Sequence, residues 1–342
     1  MEGSTKQSVV LLGGSGVQSW RYLSRIDDFD VTVVAPATDS GGNTGLINMF
    51  EGSEVMVSGD IGKIAAAFLS GAGDNEAREF LLHRIQFEPL KGYTMGNLVQ
   101  LVAHEMTGSY GSALDLLGRI FPFNARLMLA TRDVPVLCAE YANGEVMKYE
   151  HEIDEVSDDT RGSVEKLWVE PADMRINPAA EKALDQAEYI GIGPGDVYTG
   201  YGSILVVPGV REALIRAHTR GAKIVAVMNL MTKPGHTGGW SAARHVDCLL
   251  DQFQVPLNAV LVNTEPIDEE AISRYEAKNS EVVVADIEGE YREVTVLRGE
   301  LVDEAPKDRP GGDAVPRSFI RHDPVALHAL FLQYQRSQSK HH

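Results

Sequence analysis

At 342 residues, with 44 % hydrophobic and 23 % charged side chains, the chain has the composition of an ordinary folded protein. Its 31 basic against 49 acidic residues leave a net charge of −18, which argues against nucleic acid or an acidic membrane as partner. Two cysteines, Cys138 and Cys248, are too few for a disulfide framework or a structural zinc site. Both read as core packing in a reducing cytoplasm.

The opening residues Met1 to Gln7 are polar and lack the apolar core of a signal peptide, and no later apolar run approaches the ~20 residues of a membrane helix. Short β-branched runs predict strands at 8–12, 30–35, 126–131, 135–140, 188–192, 222–228, 258–262 and 281–285. Apolar residues at helical spacing predict helices at 17–26, 61–84, 95–107, 110–119, 178–187, 208–219, 239–253, 268–277 and 323–335. This alternation implies an α/β fold with a Rossmann-like parallel sheet and helices on both faces. The helical stretch 61–119 reads as an insertion walling one side of a cleft. Hairpins are expected at about 141–170, where Asn143-Gly144 signals a tight turn, and at 287–305, followed by a polar loop from Pro306 to Pro316. No linker or repeat interrupts residues 8–335, which read as one domain.

Two glycine-rich turns stand out. Leu12-Gly13-Gly14-Ser15-Gly16 closes the first strand, and Ile192-Gly193-Pro194-Gly195-Asp196-Val197-Tyr198-Thr199 closes the fifth. Parallel strands bring such turns to one sheet edge, where backbone N–H groups can meet an anion. The first is a poor dinucleotide fingerprint. Ser19 takes the place of the third glycine, and no acid ends the next strand at Val33-Val34-Ala35-Pro36. NAD is therefore not expected, and the absence of a G-x-x-x-x-G-K-[ST] run argues against an ordinary nucleoside triphosphatase.

The loop Thr38-Asp39-Ser40-Gly41-Gly42-Asn43-Thr44-Gly45 follows the second strand. Asp39 is a candidate magnesium ligand, and Ser40, Gly41, Gly42, Asn43 and Thr44 are candidate phosphate contacts. Asp60 precedes an apolar-periodic helix and is either a plain N-cap or a catalytic carboxylate. Thr94 is a candidate helix cap, and Asn97 could bond a base or a metal-bound water. Asn229, Thr232, Lys233 and His236 follow the apolar strand ending at Met228, with His236 either structural or catalytic. No G-x-S-x-G, H-E-x-x-H or C-x-x-C run suggests another chemistry.

Taken in order, these segments, with Ser58-Gly59-Asp60-Ile61, Thr94-Met95-Gly96-Asn97-Leu98, Asn229-Leu230-Met231-Thr232-Lys233-Pro234-Gly235, Val262-Asn263-Thr264 and Arg321-His322-Asp323-Pro324, resemble the family of 2-phospho-L-lactate transferase CofD and the gluconeogenesis factor YvcK. The Asn229–Gly235 and Gly193–Thr199 segments look more like the YvcK branch. The resemblance implies a cleft for a nucleotide diphosphate or nucleotide sugar. It also implies UDP-sugar binding with a role in gluconeogenic growth and the cell wall, or a magnesium-dependent transfer of a phosphoester-linked group. Departures stand at Ser15, at Ser40 in place of a second acid, at Gly62-Lys63, at Tyr93-Thr94, and at Lys233 in place of glutamine. Losing the acid at Ser40 weakens the case for a divalent metal. The expected site is then Asp39 and Asp60 for catalysis, with Gly13, Gly14, Ser15, Gly16, the Ser40–Thr44 loop, Asn97, Gly193, Pro194, Gly195, Asp196, Thr199, Asn229, Thr232 and Lys233 around the nucleotide. Assembly into a homo-oligomer is left open.

Overall fold

The computed structural model describes residues 6–38, 59–70, 74–155, 160–303 and 320–338. Asp39, Ser40, Gly41, Gly42, Asn43 and Thr44 lie outside the described residues, as does the polar loop before residue 320.

An eight-stranded sheet runs in the order β10-β11-β9-β8-β7-β1-β2-β3. Its members are β1 (Gln7–Leu12), β2 (Phe29–Ala35), β3 (Ala125–Leu129), β7 (Tyr189–Ile192), β8 (Lys223–Val227), β9 (Ala259–Asn263), β10 (Gly289–Tyr291) and β11 (Val294–Gly299). Every neighbouring pair is parallel except the β10–β11 hairpin at one edge. The apolar runs are continuous because both faces are covered. Val10, Leu12, Ile190 and Ile224 face one core, while Val9, Leu11, Val33 and Leu261 face the other.

Helices α1 (Gly59–Ala67), α2 (Asp74–Leu82), α3 (Met95–Thr107) and α4 (Tyr110–Ile120) form the expected insertion between β2 and β3. The single helix predicted over 61–84 is two, α1 and α2. A second sheet of three antiparallel strands joins β5 (Val146–Lys148), β4 (Val136–Tyr141) and β6 (Val164–Glu170), with α5 (Glu150–Asp154) between β5 and β6. Further helices are α6 (Pro178–Gln186), α7 (Val210–Arg220), α8 (Ala242–Asp247), α9 (Glu269–Glu276) and α10 (Pro324–Gln338), besides short helical turns at Val197–Leu205 and Cys248–Gln252. β12 (Val302–Asp303) and β13 (Arg321–His322) pair as a short antiparallel ribbon.

Two local expectations change. Residues 281–285 form no strand. They are held by one bridge, Met231 to Val282, and by Val283 N–H donating to Leu230 O at 3.0 Å, so an apolar run is satisfied by a loop. The predicted helix 17–26 is two 3₁₀ turns, Ser15–Trp20 and Leu23–Arg25. The 3₁₀ form rises more per residue, and here it carries Trp20 from the end of β1 toward β7.

Chain order runs β1 to β2 in one direction and β7 to β8 to β9 in the other. The β1–β7 boundary is thus the switch point of the sheet, where a crevice opens at the strand C-termini. Both glycine turns lie there.

Candidate functional site

The two turns touch. Gly193 N–H donates to Leu12 O at 3.0 Å, and Trp20 Nε1–H donates to Gly193 O at 2.8 Å. A Cβ added at Gly16 would stand 1.9 Å from the Pro194 carbonyl oxygen, so only glycine lets the first turn lie against the second. One added at Gly14 would stand 2.2 Å from Asp60 Oδ2, which places the α1 carboxylate directly over the first turn. Asn229, after β8, clasps Gly195 on both sides: its Oδ1 accepts from Gly195 N–H at 2.9 Å and its Nδ2 donates to Gly195 O at 2.8 Å. Three consecutive strand ends therefore meet, and Gly13, Gly14, Ser15, Gly16, Gly193, Pro194, Gly195 and Asn229 form one edge.

Beside the second turn is an ionic network. Asp196 Oδ1 accepts from Tyr198 N–H and Thr199 N–H at 2.9 and 2.7 Å, capping the turn that follows. Its Oδ2 meets Lys233 Nζ at 3.1 Å and His236 Nδ1 at 3.0 Å. Lys233 also pairs with Asp154 at the end of α5, and Thr199 Oγ1 donates to Asp154 Oδ1 at 3.0 Å. His236 Nε2 lies 2.8 Å from Ile153 O. Burial would raise the Asp196 carboxyl, yet Lys233 and His236 hold it well below the usual carboxylate range. Burial would lower the Lys233 ammonium, but Asp196 and Asp154 more than offset this and raise it. The Tyr141 hydroxyl, buried nearby, has no hydrogen-bond partner among the described residues.

Beside the first turn several arginines gather. Arg321 Nη1 donates to Gln18 Oε1 at 3.2 Å, and Arg21 Nη1 donates to Gln18 O at 3.1 Å. The Arg21 guanidinium is pulled down to about 10, first by burial and then by Arg78 and Arg25, with Arg321 adding repulsion and Asp303 opposing it. Arg78, on α2, is lowered by burial and by Arg25. Arginine guanidinium groups supply the donors that recognise a phosphate or carboxylate. Thr38, where the β2 loop departs, has a buried Oγ1 without a partner among the described residues.

Other expected contacts are engaged elsewhere. Asn97 Oδ1 accepts from Thr94 N–H and Oγ1 at 3.0 and 2.7 Å, closing the α3 capping box. The Thr232 hydroxyl accepts from Glu281 N–H at 2.8 Å. Asp60 faces Lys63 at 3.6 Å. Sequence reasoning missed Asp154, Trp20, Arg21 and Arg78. Only Trp20, four residues past a glycine turn, carried a local signal.

His322 is buried, and its Nε2–H donates to Met228 O at 3.0 Å. Burial pushes its imidazole down to about 4, so it stays neutral and fastens β13 to the end of β8. Asp323 caps α10 through Val325 N–H at 2.7 Å.

Among the described residues no three His, Cys, Asp or Glu side chains gather in a way that could hold a metal ion, and Asp39, the expected magnesium ligand, lies outside them. Nor is any described helix long and apolar enough to cross a membrane.

Comparison with known proteins gives the chain relatives and a family. A Bacillus subtilis protein named gluconeogenesis factor is 27 % identical over 290 residues, covering 84 % of this chain and 87 % of its own length. The protein of the same name from Halalkalibacterium halodurans is 24 % identical over 283 residues, covering 82 % and 84 %. A crystal structure of a Bacillus halodurans member of the UPF0052 family superposes with a TM-score of 0.83 at 22 % identity, covering 96 % of this chain and all of that one, and so shares the fold. The family model described as 2-phospho-L-lactate transferase CofD matches residues 9–302, and the chain belongs to that family.

Proposed function

We propose that this protein binds a nucleotide diphosphate or nucleotide sugar across the β1–β7 switch point and works as a YvcK-like binding factor in central carbon metabolism or cell-envelope regulation. The observation that carries the reading is the contact of the two glycine turns, Gly16 against Pro194, beside a set of arginines in an otherwise acidic protein. Backbone N–H groups and guanidinium donors receive the phosphates, while Asn229 holds the Gly195 peptide in place. The gluconeogenesis-factor names of the relatives support the physiological half of the proposal.

A thermal-shift panel tests it. Uridine or guanosine diphosphate, or UDP-sugar, at ~100 times its dissociation constant should add about 2.7 kcal/mol of stability. NADH should add less. A shift with NADH and none with the nucleotide diphosphates contradicts the reading.

The family model is that of a transferase, and Asp60 over Gly14 is the observation that favours this second reading. Phosphoryl-linked transfer needs charge neutralised on the departing phosphate. Magnesium-dependent turnover of a labelled nucleotide donor that disappears in Asp39→Ala would establish the transferase over the binding factor.

A further inference from the structure

Tyr149 sits at φ 71° and ψ 139°, a backbone conformation that glycine adopts readily and a bulky side chain does not. Among the described residues it is the only aromatic at positive φ. Strain of this kind persists only where something compensates for it. Burial does not, because the residue is 48 % exposed. Backbone bonding does not require a tyrosine either. Tyr149 N–H donates to Leu137 O at 2.8 Å and Tyr149 O accepts from Ile153 N–H at 3.2 Å, and glycine would make both bonds. What tyrosine adds is a ring held outward.

That ring has a neighbour and an address. The His151 ring lies 6.1 Å away, centroid to centroid, tilted by 32°. The other end of the same short helix is tied into the second glycine turn, through Asp154 to Lys233 and Thr199 and through Ile153 O to His236. Along this short helix His151 precedes Asp154 by roughly 4.5 Å of axial rise, and Tyr149 stands at the opposite end from that anchorage. We propose that Tyr149 and His151 form a stacking shelf for the planar base of the bound nucleotide. An aromatic face accepts any base, because every base has a π-face. This inference rests on the nucleotide reading above and adds which end of the site receives the base.

The test is titration calorimetry of the full chain with uridine diphosphate, guanosine diphosphate and base-free pyrophosphate. Tyr149→Gly should lower nucleotide affinity by roughly 5- to 150-fold, the span of a lost base–aromatic stack. Pyrophosphate affinity should be unchanged, and Tyr149→Phe should stay within about twofold of wild type. The melting temperature of Tyr149→Gly should equal or exceed that of wild type, since glycine relieves the strain. Tyr149→Gly binding both nucleotides as wild type does overturns the shelf alone, as does an equal loss of pyrophosphate affinity. Wild-type protein that binds neither nucleotide overturns the shelf and the nucleotide reading together.

Discussion

The two glycine turns touch each other, yet the charges around them are arranged differently. At the second turn every charge is answered from within: Lys233 lies between Asp154 and Asp196, and His236 contacts the same Asp196. At the first, Arg21, Arg25, Arg78 and Arg321 act on one another, with Asp303 as the carboxylate that opposes them at Arg21. The second turn is thus held by its own ions, while the first has the Asp60 carboxylate over Gly14 and a set of arginines beside it. The contrast also reassigns a residue. Lys233 sits in the expected ligand segment, but its charge is committed to two carboxylates and serves the scaffold.

The largest effect expected from this contrast is at Lys233. Lys233→Ala leaves the Asp196 carboxylate, whose side chain is only 14 % exposed, without its cation. The loss should be about 3–5 kcal/mol, nearer the lower figure because the lysine itself is partly exposed. Urea denaturation measures it, and Asp196→Asn in the same background should recover part of it.

Acid separates the fastenings next. The depressed Asp196 stabilises the fold above its unfolded value of about 4, and that contribution fades only as pH falls below it. The raised Lys233 contributes at all pH below its unfolded value of about 10.4 and is lost only above that. His322, lowered to about 4, behaves differently. Its neutral form is favoured by the fold, so its share, about 3 kcal/mol, is complete above pH ~6.5 and drains away between there and pH ~4. Stability measured against pH should therefore decline first in the His322 window, and His322→Gln should flatten that decline.

A third prediction probes the contact between the turns. Gly16→Ala drives a methyl group into the Pro194 carbonyl and should cost about 1–3 kcal/mol, with nucleotide affinity falling in parallel. The smallest stability change belongs to Arg21→Gln. Removing one of several repelling cations should alter stability by less than about 0.5 kcal/mol. Nucleotide affinity should nevertheless drop about tenfold, the worth of one charge-assisted hydrogen bond. A variant that unfolds instead would mean that Arg21 serves the scaffold as Lys233 does.

How much of this was legible in the sequence follows from the range of the interactions. Val9 to Leu12 and Tyr189 to Ile192 announced buried strands, and the glycines after them announced turns, because each signal is local. The run Val282-Val283-Val284 misled: it carries strand residues but lies against Leu230–Thr232 as a loop, with Val284 exposed. Asp154 could not be paired with Lys233 from spacing, since 79 residues separate them. Arg21 and Arg78 were hidden for the same reason, arriving from the end of a 3₁₀ turn and from a helix of the insertion. Motif order located the edge of the sheet. The division of charge along that edge emerged only from the fold.

The most direct test of the account is the salt dependence of uridine diphosphate affinity in wild type, Arg21→Gln and Arg321→Gln. If the first turn supplies the charge that meets the phosphates, wild-type affinity falls steeply with salt. Each variant should then bind more weakly with a shallower slope, while melting temperatures stay close to that of wild type. Affinity and salt slope unchanged in both variants, with uridine diphosphate still bound, would contradict the division of roles between the two turns.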